Sequence, residues 1–352
     1  MKPNLENYQK IYSTFSWKKA EKEISWFTSG RLNAAYNAID RNIQGPRKNK
    51  IALYWQGENG EKKKFTFLDL YFLSNRFAGF LKKLGVKRGD RVFFFLPRVP
   101  ELYWGFLGTL KIGAVAGTLF SAFGPQALLD RLGNSGAKVL ITNKFLYARV
   151  QKIEAKLPAL KKIILADNLE KIIAKMPEKR RCLPCRPDDP AFMLYTSGTT
   201  GKPKGVVHTH QAIILQHLTA KWVLDLRESD TYWCTADPGW VTGIAYEILG
   251  SWSNGASLLI YSGRFDPATW YQLIQDYKVN VWYTAPTAIR MLAAAGINLV
   301  KKYDLSSLRH LASVGEPLNP EAVRWGRKAF GLPFHDNWWQ TETGGILIAN
   351  YP

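Results

Sequence analysis

The sequence predicts an α/β protein built from two subdomains whose mostly parallel sheets meet at a cleft. Three observations lead there. Short apolar runs of strand type alternate with amphipathic helical runs along nearly all of the 352 residues, the pattern of parallel sheets covered by helices. A polar connector from Asp167 to Asp189 divides the chain into halves, 1–187 and 188–352. Just beyond it, the apolar run Ala191–Leu194 passes into a loop of glycines, hydroxyls and lysines that runs towards a helix.

The elements follow in order. In the first half, Ile51–Tyr54, Arg91–Phe95, Val115–Leu119, Lys138–Thr142 and Lys162–Ala166 have the length and composition of strands. Helices fill Leu68–Leu84, Glu101–Ile112, Pro125–Asn134 and Phe145–Lys156. In the second half the strands are Ala191–Tyr195, Thr231–Thr235, Ser257–Tyr261, Val281–Thr284, His310–Val314 and Phe334–Asn337. Ile213, Ile214, Leu218 and Trp222 recur at helical spacing behind the loop. Asp266-Pro267 and Asn319-Pro320 each place a capping side chain before a proline that the first helical turn tolerates.

Composition narrows the function. A content of 46% hydrophobic and 22% charged residues is that of a globular protein. No apolar signal segment opens the chain, and Ile112–Phe123, the longest apolar run, is too short and too interrupted to span a bilayer, so a cytoplasmic protein without a membrane partner is expected. The net charge of +20 is spread over scattered lysines and arginines that form no nucleic-acid-reading module. Solvated faces and attraction for anionic nucleotides account for it, and nucleic acid is not expected as a partner. The run Lys62-Lys63-Lys64 reads as one such face. Cys182 and Cys185 have metal or redox spacing but no completing ligands, and read as structural.

The loop carries the chemistry. Between Tyr195 and Gly205 stand three glycines (Gly198, Gly201 and Gly205), four hydroxyls (Thr196, Ser197, Thr199 and Thr200) and two lysines (Lys202 and Lys204). Glycines let backbone approach an anion, hydroxyls donate, and lysines supply charge: a polyphosphate cradle. A polar surface turn is the bland alternative. The loop departs from the common P-loop, because Pro203 stands five residues after Gly198. A second string, His335 to Gly345, leaves a strand through adjacent tryptophans and reaches the lone carboxylate Glu342. Ligands of open α/β sheets collect outside the carboxyl ends of strands, which is where such groups would sit. Further strand-to-turn strings are Ser313 to Pro320, Trp233 to Gly243 and Trp282 to Arg290. The five histidines read as structural or as supports behind the site.

Together these strings resemble the signatures of the adenylate-forming superfamily of acyl-CoA synthetases, luciferases and peptide-synthetase adenylation domains. The resemblance runs from about Glu6 to Pro352 and is closest to the acetyl-CoA synthetase branch, for which Leu32 to Arg41 is also typical. It implies the large N-terminal domain of that fold, and ATP-dependent activation of acetate to acetyl-AMP followed by transfer to CoA. ATP, Mg2+, CoA and acetate are the implied small-molecule partners. Thr196, Ser197, Gly198, Thr199, Thr200, Gly201 and Lys204 would hold the leaving pyrophosphate, and Thr341 the α-phosphate. Glu342 would bind Mg2+, a hard ion that takes few carboxylates beside phosphate oxygens. Gly315, Glu316, Pro317, Asp336, Asn337 and Trp338 would frame adenosine, with Gln340 beside them. Val241, Thr242, Val314 and Trp339 would wall the acyl pocket, with Trp339 as its floor. Family members continue well beyond the Thr-Glu motif into a small lid domain that carries a lysine needed for adenylation; the resemblance therefore implies a chain that stops short of that domain. CoA-binding residues have no match. The readings left open are another carboxylic-acid adenylating enzyme, a nucleotide-binding module without turnover and, from charge alone, a nucleic-acid binder.

Overall fold

The computed structural model describes residues 2–196 and 201–352. Fourteen strands are present among them: β1 (Ile51–Gln56), β2 (Lys62–Thr66), β3 (Arg91–Phe95), β4 (Val115–Thr118), β5 (Val139–Thr142), β6 (Lys162–Leu165) and β7 (Pro190–Thr196), then β8 (Lys204–Thr209), β9 (Thr231–Cys234), β10 (Ser257–Tyr261), β11 (Val281–Thr284), β12 (His310–Ser313), β13 (Phe334–Trp338) and β14 (Ile348–Ala349). They form an eight-stranded sheet in the order β14-β13-β12-β11-β9-β10-β1-β2 and a six-stranded sheet in the order β6-β5-β3-β4-β7-β8. Pairing is parallel except at β1–β2, β13–β14 and β7–β8, all at sheet edges. The expected α/β class with mostly parallel sheets is the observed one.

Sheet membership does not follow the division at 187/188. β1 and β2 of the first half pair onto β10, while β7 and β8 of the second half pair onto β4. Period and polarity report a strand's existence, whereas its neighbours are set by long-range packing, so the exchange left no local trace.

Three strands escaped the sequence: β2, β8 and the two-residue edge strand β14. β2 consists largely of Lys62, Lys63 and Lys64, and it forms an exposed edge where charge discourages further pairing. The aromatic faces of Tyr277, Trp55 and Tyr54 lie under these three ammonium groups at 5.8–5.9 Å. β8 begins at Lys204, so the glycine-rich loop turns back into an antiparallel strand before any helix begins at Ala212. The helix expected over Phe145–Lys156 ends at Val150 and resumes as a short 3-10 turn, Glu154–Lys156.

Elsewhere local chemistry fixed the boundaries. Thr66 and Asp69 form a reciprocal capping box that starts the helix Phe67–Lys83. Asp266 and Asn319 accept hydrogen bonds from the amides of Thr269 and Ala322, at 2.8 and 3.1 Å, ahead of their prolines. The eight-stranded sheet is packed on one face by aromatics: Trp233 and Trp282 stack at 5.9 Å, with Trp270 and Phe334 edge-on to Trp282. Cys182 and Cys185 are buried with free thiols, and Cys185 is bridged through its backbone to Leu32. Among the described residues no helix is long and apolar enough to cross a membrane.

Candidate active site

Strands β9, β11, β12 and β13 run parallel and end at one edge of the large sheet. Beyond their carboxyl ends lies a cavity of about 570 Å3. β9 leads into Thr235 and Ala236, β11 contributes Tyr283 and Thr284, β12 leads into Val314, Gly315 and Glu316, and β13 leads into Trp339, Gln340 and Thr341. Trp240, Val241 and Thr242 close the side that follows β9. Eight residues that sequence reading assigned to ligands thus surround one space: Val241, Thr242, Val314, Gly315, Glu316, Trp339, Gln340 and Thr341.

The indole of Trp339, 8% exposed, packs edge-on to Tyr246 at 5.1 Å. Its Nε1 donates to the Tyr283 hydroxyl at 3.3 Å, and that hydroxyl donates to Asn337 Oδ1 at 2.7 Å. Aromatic contact and a hydrogen-bond chain hold the ring from behind, so it presents a fixed surface to the cavity. On the wall, the hydroxyls of Thr235 and Thr284 lie 2.7 Å apart.

Gly315 has φ +101, a backbone conformation that an L side chain adopts only with strain. The Glu316 carboxylate accepts from Thr287 Oγ1 at 2.5 Å and Arg290 Nη2 at 2.6 Å. The hydrogen bond from Thr287 first, then Arg290, holds it below the usual carboxylate range. Pro317 is exposed beside it. In β13 the side chains alternate in direction. Trp338 is 52% exposed, while Asp336 accepts from the Leu318 amide at 3.2 Å, and burial pushes its carboxyl up. Asn337 departs from its expected place: its side chain is buried against Tyr283 and supports the pocket from within, as the residue between two outward neighbours must.

Thr196 and Lys204 face each other across the first pair of the β7–β8 hairpin, and Gly201 turns with φ +89. None of these three lines the cavity, and Ser197, Gly198, Thr199 and Thr200 lie outside the described residues. The hairpin nevertheless reaches the Thr-Glu turn. His208 on β8 bonds through Nε2 to the carbonyl of Thr341 at 2.7 Å and packs at a tilt against Phe192, ring centroids 4.9 Å apart. Gly344, with φ +69, leaves room for that imidazole; a Cβ there would stand 2.6 Å from it. The supporting part expected of His208 has this concrete form. Glu342 is exposed, and no lysine, arginine or histidine pairs with it among the described residues. Among those residues no cluster of three metal-ligating side chains occurs. A lone free carboxylate fits an ion that draws its other ligands from phosphate and water.

Sequence reading missed the layer beneath the cavity. Arg98 donates to the Thr235 carbonyl at 2.9 Å and so fixes one wall. Behind it Glu247 is fully buried in the π-helix Gly243–Gly250 and bonded to the Tyr103 hydroxyl, with Oε2 unpartnered. Burial pushes its carboxyl up to about 8, and Asp237 beside it is raised for the same reason. A single carboxylate inside an otherwise apolar run was the available signal.

Comparison with known proteins gives these motifs a context. The sequence profile of the family described as AMP-binding enzyme matches residues 39–352. The chain is 51% identical to the acetyl-coenzyme A synthetase of Bacillus subtilis (strain 168), over 99% of this chain and 62% of that protein. It is 44% identical to the acetyl-coenzyme A synthetase of Gemmatimonas aurantiaca, over 93% of this chain and 56% of that protein. The structure superimposes on the crystal structure of Brucella canis acyl-CoA synthetase with a TM-score of 0.90 and 31% identity, over 98% of this chain and 64% of the other. The chain therefore spans roughly three-fifths of the length of the relatives it matches.

Proposed function

Because this chain belongs to the AMP-binding enzyme family, we propose that its cavity holds the adenylate of acetate and that the protein acts as an acetate–CoA ligase. In that reaction the acetate carboxylate attacks the α-phosphate of ATP, pyrophosphate leaves, and CoA then takes the acetyl group to give acetyl-CoA and AMP. Both reactants of the first step are anions, so charge neutralisation and in-line placement carry the catalysis. Thr196, Gly201 and Lys204, with Ser197 to Thr200, are the candidates for the pyrophosphate. Thr341 is the candidate for the α-phosphate, with Gln340 among the residues expected to bind the nucleotide. Gly315, Glu316, Pro317, Asp336 and Trp338 are the adenosine candidates. The Glu342 carboxylate would hold Mg2+, whose chemistry there is to offset charge on the phosphate oxygens. CoA is taken as the acyl acceptor, with no residue assigned to it.

The observation that carries the acetate reading is Trp339: a buried indole, tied to Tyr246 and Tyr283, stands across the space a longer acyl chain would need. Val241, Thr242 and Val314 complete that wall. The test is acid-dependent ATP–pyrophosphate exchange by the full-length protein with acetate, propionate and butanoate. Acetate is expected to support the fastest exchange, with each added methylene discriminated by about 1–3 kcal/mol. Exchange supported by butanoate and not by acetate would overturn the assignment.

A further inference from the structure

A second pocket, of about 370 Å3, lies where three separate segments meet: the turn Phe27–Arg31, the approach to β3 at Arg88, and the connector at Arg181 and Pro184. The segments are stapled together. Phe27 pairs with Arg31 and Leu32 pairs with Cys185 through the backbone. The amide of Leu183 donates to the Lys111 carbonyl and that of Gly89 to the Gly113 carbonyl, both at 2.8 Å. Three guanidinium groups, Arg31, Arg88 and Arg181, and the hydroxyl residues Thr28 and Ser29 line this pocket, and no carboxylate does.

The charges are unequally engaged. Arg88 is ion-paired with Asp189, and the nearby Asp188 is held by Arg186 at 2.8 Å. Arg31 and Arg181 have no carboxylate within 4.0 Å among the described residues. Two free planar forks beside two hydroxyls, with the flat faces of Phe27 and Pro184 next to them, match the oxygens of a phosphate group and the body of the molecule that carries it.

This pocket is not an annex of the cavity. Arg88 precedes the amino end of β3 and Pro184 precedes that of β7, whereas the glycine-rich loop follows the carboxyl end of β7. β3, β4 and β7 are parallel, so the two anion-attracting regions stand at opposite ends of the small sheet, roughly 20 Å apart along β7.

We propose that the Arg31–Arg88–Arg181 pocket is a second anion site, separate from the cavity, that takes the phosphate group of a small phosphorylated molecule. Titration calorimetry with ribose 5-phosphate and with inorganic phosphate tests it, on the wild-type chain, on the double variant Arg31→Gln/Arg181→Gln and on Lys204→Ala. Both substituted arginines are free of ion pairs, so the double variant is expected to fold, which circular dichroism checks. Binding by the wild type, weakened about tenfold or more in the double variant and retained in Lys204→Ala, is the expected result. Tighter binding of the ester assigns the site to a phosphorylated metabolite, and equal binding assigns it to free phosphate. No wild-type binding at millimolar ligand, an unaffected double variant, or loss of binding in Lys204→Ala would each overturn the proposal.

Discussion

Glu247 shows how a single buried group couples the site to the medium. Its carboxyl has no cation in hydrogen-bond contact, and burial raises it from an ordinary value of 4.5 to about 8. The folded state therefore holds a proton that the unfolded chain releases. That proton's contribution to stability is full below pH 4.5, falls as pH rises from there, and is gone once pH passes 8. Glu247→Gln keeps a group able to accept from Tyr103 and removes the titration. Its melting temperature is expected to exceed that of the wild type by a margin that widens as pH rises from about 5 to 8. Parallel melting curves across that range would show that Glu247 is already ionised in the fold. Because Tyr103, Arg98 and Asp237 surround this carboxyl and Arg98 grips the Thr235 carbonyl, the same residue underlies one wall of the cavity.

The β7–β8 hairpin is the element that joins the two motifs read from sequence. Thr196 and Lys204 stand at its mouth, and His208 further along holds the carbonyl of Thr341. Lys204→Ala would remove the proposed charge-assisted phosphate contact, worth about 1.5–3 kcal/mol, so Mg-ATP affinity is expected to fall about tenfold or more, measured by calorimetry with the fold intact. Equal affinity in both proteins would remove the loop from the nucleotide site. Most of this site was legible in the sequence because its residues sit at strand ends, where small, hydroxylated and charged types interrupt apolar runs. Trp339, Val314 and Thr341 lie in such strings, and their roles came from the family resemblance that those strings carry. Tyr283 and Thr284 fall inside the string Trp282 to Arg290 but received no role of their own, and Arg98, which holds the Thr235 carbonyl from behind the cavity, was not singled out, because the local pattern of each is that of ordinary core or ordinary surface. Strand β8 was hidden for a related reason: its glycine and lysine at the start read as loop, and only pairing with β7 makes it a strand.

The whole molecule is interlocked by strand exchange. β1–β2 complete the large sheet from the first half of the sequence, and β7–β8 complete the small one from the second. A fragment ending at residue 187 would leave β1 without β10 and β4 without β7, exposing two unpaired edges and the apolar faces beside them. Such a fragment is expected to be unfolded or aggregated by circular dichroism and sedimentation; a cooperative melt from it would show that the halves are autonomous. The same interlocking fixes the cavity, since its walls come from four strands of one rigid sheet and its Thr341 rim is held by a strand of the other.

The cavity is proposed to hold an acyl-adenylate whose acyl group ends against Trp339. The most direct test of this is calorimetric titration of the chain with non-reactive acyl-sulfamoyladenosines of increasing length, acetyl to octanoyl, against the wild type and Trp339→Gly. This reads binding without any need for turnover. The acetyl analogue is expected to bind the wild type most tightly, with affinity falling along the series, and the variant is expected to favour the longer members. The same ranking in both proteins would mean that Trp339 is simply a core tryptophan, and the acetate pocket would have to be sought elsewhere.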